Sequence, residues 1–319
     1  MSPARDPRVV ALGGGHGLAA SLAALRRVTR NVTAVVTVAD DGGSSGRLRR
    51  ELGVLPPGDL RMALAALCGD DQWGRTWSEV VQHRFRSDGT LHDHAVGNLL
   101  IVALWELLGD PVVGLDWMGR LLRAEGRVLP MSLVPLDIEA VVQLDGDDDD
   151  GETVTVRGQV AVATASGTVK HISLVPGSPP ACPEAVQAVR DADWVVLGPG
   201  SWFSSVIPHL LVPDLADALH QTSARRLVAL NLAPQPDETA GFSPQAHLEV
   251  LGRHAPGLAL DVVLVDPSTA PDLVALEKVA AGFGARVVVE RVARSDGSPR
   301  HDPELLATAY RDVFSSGRI

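Results

Sequence analysis

The run Val35-Val36-Thr37-Val38 empties into Asp40-Asp41-Gly42-Gly43-Ser44-Ser45-Gly46, and this junction constrains the chain more than any other stretch. Consecutive β-branched residues predict a strand buried on both faces, which means a parallel sheet. Three glycines and two serines beyond it let the backbone turn through positive φ and present successive N–H groups, a surface suited to anions. Asp40 and Asp41 bring the opposite chemistry: they can accept hydrogen bonds from sugar hydroxyls or hold a hard divalent cation. An ordinary connection takes about two to six residues, so a polar stretch of this length reads as a site more than as a turn. Arg47, Arg49 and Arg50 follow on a helical turn, able to meet a phosphate or pair with the aspartates. Pro56-Pro57-Gly58-Asp59 closes the segment and caps a helix from Leu60.

A second strand-to-glycine junction lies upstream. Arg8-Val9-Val10-Ala11-Leu12 runs into Gly13-Gly14-Gly15-His16-Gly17 and then a helix-like LAASLAALRR. Strand, glycine turn and helix make the outline of a dinucleotide-binding start, in which backbone N–H groups and the helix dipole receive a phosphate. The formal fingerprint fails, because Leu18 occupies its third glycine position, and no GxxxxGK[ST] occurs anywhere. Tight packing alone would also explain such glycines. Adjacent parallel strands, however, deliver both loops to one carboxyl edge, and that placement favours a shared site.

Further strands are predicted at 194–197, 227–230, 262–265 and 286–289, and helices at 60–67, 77–83, 97–108, 115–123, 210–220, 273–281 and 304–314. Trp194–Leu197 ends in Gly198-Pro199-Gly200-Ser201, a third loop for the same edge, and the strand at 227–230 ends in Asn231. Asn231, Gln235, Glu238 and Thr239 form a polar loop suited to reading a base or a sugar. His94 and Asn98 lie one helical turn apart and either face a cleft or cap the helix. His92 and His94 find no third metal ligand at helical spacing. Residues 132–175 change to a β-rich pattern, with strands expected at 138–144, 153–163 and 169–174. The acidic run Asp145 to Glu152 lacks the glycine and glutamate of a calcium loop and reads as a solvated hairpin tip.

Composition narrows the function classes. A chain of 319 residues, 45% hydrophobic and 21% charged, can bury a large core, and its net charge of −11 disfavours nucleic acid or an anionic membrane as a general partner. Two cysteines, Cys68 and Cys182, without metal-ligand spacing fit a reduced cytoplasmic setting. The apolar run near the amino terminus is too short to be read as a signal peptide, and no run approaches the ~18–20 residues of a membrane span. No repeat, linker or domain break is visible, so the expectation is one α/β domain over 1–319: a Rossmann-like parallel sheet flanked by helices, with a β-rich insert at about 132–175.

GGGHGL, VTVADDGGSSGRLR, PPGDLR, HAVGNLL, GPGSWFSSVIPHLLV and NLAPQPDET, in that order, resemble the YvcK family, the gluconeogenesis-factor group related to the 2-phospho-lactate transferase CofD. The resemblance covers nearly the whole chain. It implies a CofD-like nucleotide cleft at the strand ends and a cytoplasmic binder of UDP-sugars, notably UDP-N-acetylglucosamine, needed for cell shape and peptidoglycan precursor supply under gluconeogenic growth. A regulatory protein partner is implied, self-association is left open, and no cofactor is required beyond the UDP-sugar ligand. The alternative is a CofD-type transferase passing a phospholactyl group from a guanylylated donor to a deazaflavin, with magnesium held by Asp40 and Asp41.

Carried over by motif, the nucleotide-sugar site comprises Gly13, Gly14, Gly15, His16 and Gly17 from the first turn. The second motif contributes Asp40, Asp41, Gly42, Gly43, Ser44, Ser45 and Arg47, and the next two Asp59, His94 and Asn98. Gly198, Pro199, Gly200, Ser201, Asn231, Gln235, Glu238, Thr239 and Phe242 complete it. His16 replaces the usual threonine. Phe203 and Phe242 stand where tyrosines are common, keeping a ring but losing a hydroxyl, and Leu232-Ala233-Pro234 and Asp237 depart from the usual loop.

Overall fold

The computed structural model describes residues 6–144, 152–165, 167–235 and 238–316. β1 (Val9–Gly13), wholly buried, leads into α1 (Gly15–Leu25), and β2 (Val32–Val36) into α2 (Gly43–Leu52). Four helices follow: α3 (Gly58–Ala66), α4 (Gln72–Gln82), α5 (Val96–Leu108) and α6 (Pro111–Leu122). After β3 (Arg127–Pro130) come β4 (Asp137–Gln143), β5 (Thr153–Arg157), the short α7 (Gln159–Ala163) and β6 (Thr168–Val175). The chain then alternates through α8 (Pro183–Asp191), β7 (Trp194–Leu197), α9 (Pro213–Gln221), β8 (Arg225–Ala229), α10 (Pro244–His254), β9 (Val262–Val265), α11 (Leu273–Gly282), β10 (Arg286–Val289) and α12 (Pro303–Ser315).

The main sheet has seven strands in the order β10-β9-β8-β7-β1-β2-β3, and every pairing in it is parallel. Apolar strands such as VVLV of β9 need cover on both faces, and the intervening helices supply it. Strand order reverses between β1 and β7, so the loops leaving these neighbours diverge and open a crevice at their carboxyl ends, the switch point of a doubly wound sheet. Trp202, Tyr310 and Phe203 are the largest fully buried side chains among the described residues. Tyr310 fastens α12 to α1 through its hydroxyl, 2.9 Å from Ser21 Oγ. A second, antiparallel sheet, in the order β5-β4-β6, occupies the β-rich region.

Several element bounds differ from the sequence reading. β2 begins at Val32 and ends at Val36, because its register against β1 runs from Val9–Val32 to Gly13–Val36; Thr37 and Val38 are buried in the connection beyond it. The glycine–serine stretch is not all loop, since Gly43, Ser44 and Ser45 form the first turn of α2. The strand expected over 153–163 breaks at Gly158, whose φ of 103° is open to glycine alone, and the chain turns into α7. Helix α4 starts five residues before the predicted position, where the Asp71 side chain caps it by accepting from Gly74 N. The segment at 202–211 winds as a π-turn and a 3₁₀ turn ahead of Pro213, so α9 starts later than expected. The acidic stretch 145–151 and Asp237 lie outside the described residues.

Candidate functional site

The three glycine loops leave neighbouring strands at one edge of the sheet, as the sequence predicts. The first and third touch. A Cβ on Gly17 would lie 2.2 Å from the Pro199 carbonyl oxygen, so only glycine lets the start of α1 pass under the β7 loop. Asn231, just beyond β8, holds that loop from the other side: its Oδ1 accepts from Gly200 N (2.8 Å) and its Nδ2 donates to Gly200 O (2.9 Å). Gln235 donates from Nε2 to Ser201 Oγ at 2.9 Å.

Much of the polar loop expected to read a ligand serves this scaffold instead. Glu238 is buried, accepting from Phe203 N (3.1 Å) and the Ser204 hydroxyl at the π-turn, and burial pushes its carboxyl above the usual range. Thr239 Oγ1 accepts from Gln235 N, and Phe242 stacks edge-on against Phe203 and His247. None of Glu238, Thr239 and Phe242 lines the cavity at the switch point, whereas Asn231 and Gln235 do.

That cavity has a volume of about 450 Å³. His16, Gly17, Pro199 and Gly200 line it together with Arg294, Arg300 and His301. The latter belong to a segment folded back on itself by Arg294 N donating to Arg300 O (3.0 Å) and Asp302 N to Val292 O (2.8 Å). Asp266 anchors it, its Oδ2 accepting from Val292 N and Ala293 N. Burial drives the His301 ring down to about 4, so it is neutral at pH 7 and the two arginines carry the positive charge. Sequence reading missed this wall; its signal is the arginine pair flanking Ser295-Asp296-Gly297-Ser298-Pro299.

A second polar cluster lies at the end of β2. Asp40 Oδ1 accepts from Gly42 N (3.0 Å), and Ser45 also bonds its carboxyl. Ser44 Oγ meets His94 Nδ1 and receives Asn98 Nδ2, each at 3.0 Å, which ties α2 to the start of α5. Burial depresses the His94 pKa. Asp59 stands between the clusters. The Gly15 backbone bonds its carboxyl, and burial together with the nearby Asp40 charge pushes it up to about 7. Arg61, absent from the sequence-derived site, is 4% exposed, with Nε and Nη1 lacking hydrogen-bond partners among the described residues, and burial lowers it to about 10. The GDLR string that carries Asp59 also carries this arginine.

Two expected site residues turn elsewhere. Asp41 Oδ1 accepts from Val160 N at 3.0 Å, so it caps α7. Arg47 donates to the Thr90 and His92 carbonyls. Asp41 thus turns one oxygen to α7 while its charge still helps to raise the Asp40 carboxyl, and the Asp40 charge in turn helps to raise Asp59. Among the described residues, no three His, Cys, Asp or Glu side chains gather as a metal would require, and no helix is long and apolar enough to cross a membrane. Magnesium commonly takes only one or two carboxylates beside substrate phosphates, so Asp40 with Asp59 is the pair that fits it.

Residues 9–295 match the family model described as 2-phospho-L-lactate transferase CofD. A Mycobacterium leprae protein provisionally named a gluconeogenesis factor is 53% identical over 98% of this chain and 88% of its own length. A Halalkalibacterium halodurans protein named gluconeogenesis factor is 38% identical over 85% of this chain and 80% of its own. The crystal structure of a UPF0052 family member from Bacillus halodurans superposes with a TM-score of 0.83 at 32% identity, covering 96% of this chain and 99% of that one.

Proposed function

The chain belongs to the CofD family, among relatives named gluconeogenesis factor, and from that premise we propose that it is a cytoplasmic UDP-sugar-binding regulator. Its ligand is of the UDP-N-acetylglucosamine type, and its role is to adjust peptidoglycan precursor supply and cell shape under gluconeogenic growth through a protein partner. The observation that carries the reading is the cavity at the switch point, lined by the glycine loops together with Arg294 and Arg300. A diphosphate suits that pairing: backbone N–H groups at the start of α1 and two guanidinium groups are both donors to anionic oxygens. The volume falls within the range of small-molecule sites, and no cofactor is needed.

Titration calorimetry with UDP-N-acetylglucosamine tests this. Arg300→Ala is expected to weaken binding about ten- to a hundredfold, the worth of one bond to a charged group, at unchanged melting temperature. Unchanged affinity would remove this wall from the site.

The convergence of Asp40 and Asp59 favours a second reading, a CofD-type transferase. In it these carboxylates would hold magnesium, which would neutralise phosphate charge, while the chain's own part is to bind and orient. Turnover of a guanylylated donor with a deazaflavin would establish it.

A further inference from the structure

The outer row of α6 is apolar where solvent-facing helix surface is ordinarily polar. Val113, Trp117 and Leu121, spaced one turn apart, are 41%, 50% and 39% exposed. At the far end Trp73 of α4, 39% exposed, donates from Nε1 to Leu121 O and extends the row. Two of the chain's six tryptophans thus stand on one surface. Scattered apolar residues need no explanation, but a contiguous aromatic row marks an interaction site.

Charge says what covers it. Arg120 lies over the Trp117 ring at 5.0 Å and Arg123 over the Trp73 ring at 4.8 Å. Neither has a carboxylate partner among the described residues. The two acids best placed by sequence are engaged elsewhere: Asp116 by Arg127 in a two-pronged pair and Glu125 by Arg26. In a chain of net charge −11, a pair of uncompensated cations flanking an apolar stripe is a local reversal. It complements a partner with acids beside its own apolar row. A second copy laid face to face would bring the same two cations to the contact.

We propose that the α6 face, with Trp73 of α4, docks an amphipathic helix of a partner protein, apolar along one row and acidic along its flanks. The row from Val113 to Leu121 spans about 12 Å at 1.5 Å per residue, room for apolar anchors at successive helical turns. This holds whatever the cleft binds.

The probe is a fluorescein-labelled helical peptide with leucines one turn apart flanked by glutamates, compared with the same leucines flanked by lysines, read by anisotropy on the full chain. The glutamate peptide is expected to bind at least about tenfold tighter, an advantage that shrinks as salt rises. Arg120→Glu with Arg123→Glu should reverse the preference, and Trp117→Ala should weaken both peptides, with circular dichroism melts unchanged. All these residues are exposed, so folding should survive. Equal binding of the two peptides, binding of neither, or a preference untouched by the arginine reversal would overturn the proposal. So would light scattering that reveals a dimer abolished by Trp117→Ala, which would make the occupant a second copy.

Discussion

Asp59 sets the pH behaviour of the cleft. Its carboxyl holds a proton to about pH 7, against an ordinary value of 3.8. The native chain therefore binds a proton that the unfolded chain has released, and stability falls as pH rises from about 4 to 7, the loss being complete above the folded value. Asp59→Asn should flatten that slope and raise stability at pH 8 by on the order of 1–2 kcal/mol, discounted because the residue is only partly buried; denaturant melts at pH 5 and pH 8 check it. An equal shift at both values would assign the effect to packing. At Gly17 the constraint is steric. A methyl group there meets the Pro199 carbonyl at 2.2 Å, so Gly17→Ala should cost about 2–3 kcal/mol by overpacking, seen as a lowered urea midpoint, and should weaken nucleotide binding through the displaced β7 loop. Both constraints were partly legible. The strings GGGHG and GPGS declare close backbone approach, but nothing in them says that each glycine loop is the other's wall.

At the scale of elements, α2 and the small antiparallel sheet are fastened together. Arg49 donates to Leu136 O (2.9 Å) and to Asp137 Oδ1 (2.6 Å), Arg157 pairs with the other Asp137 oxygen, and Asp41 caps α7. Asp41→Ala should therefore destabilise the chain by about 1 kcal/mol, the usual worth of a cap. It should also speed hydrogen exchange at the amides of Val160 and Val162 while leaving nucleotide affinity within about twofold. A tenfold loss of affinity would return Asp41 to the binding site. The sequence located the cluster and the β-rich region but could not divide Asp40 from Asp41. The two are chemically identical, and their difference comes from a glycine turn more than a hundred residues away. Strand β3 and helices α8 and α10 were not foreseen either; β3, RVLP, holds only Val128 and Leu129 between an arginine and a proline, whereas the strands that were foreseen are unbroken apolar runs such as VVLV.

Across the whole molecule, the order of the sheet decides what can reach what. Parallel strands each ending in glycine were readable from apolar runs, whereas the reversal between β1 and β7 and the arginine wall of 292–302 depend on which strands become neighbours. That topology brings Arg294 and Arg300 to the cavity lined by His16 and Gly17 while Asp59, bonded by the Gly15 backbone, leads from the same turn toward Asp40 beyond β2, and which of the two groups takes the phosphates distinguishes the two functional readings. If the diphosphate lies between the arginines and the start of α1, its charge is balanced by the chain itself and no cation is needed. If it lies against Asp40 and Asp59, two carboxylates oppose it and magnesium must intervene. The first arrangement predicts that UDP-N-acetylglucosamine binds in excess EDTA within about threefold of its magnesium affinity, under ~0.7 kcal/mol. Saturating ligand at about 100 times Kd should stabilise the chain by about 2.7 kcal/mol with or without the metal. Calorimetry and thermal melts in parallel read both quantities. A loss beyond tenfold in EDTA, restored by magnesium and abolished by Asp59→Asn, would move the phosphates to the carboxylate cluster and with them the case to the transferase.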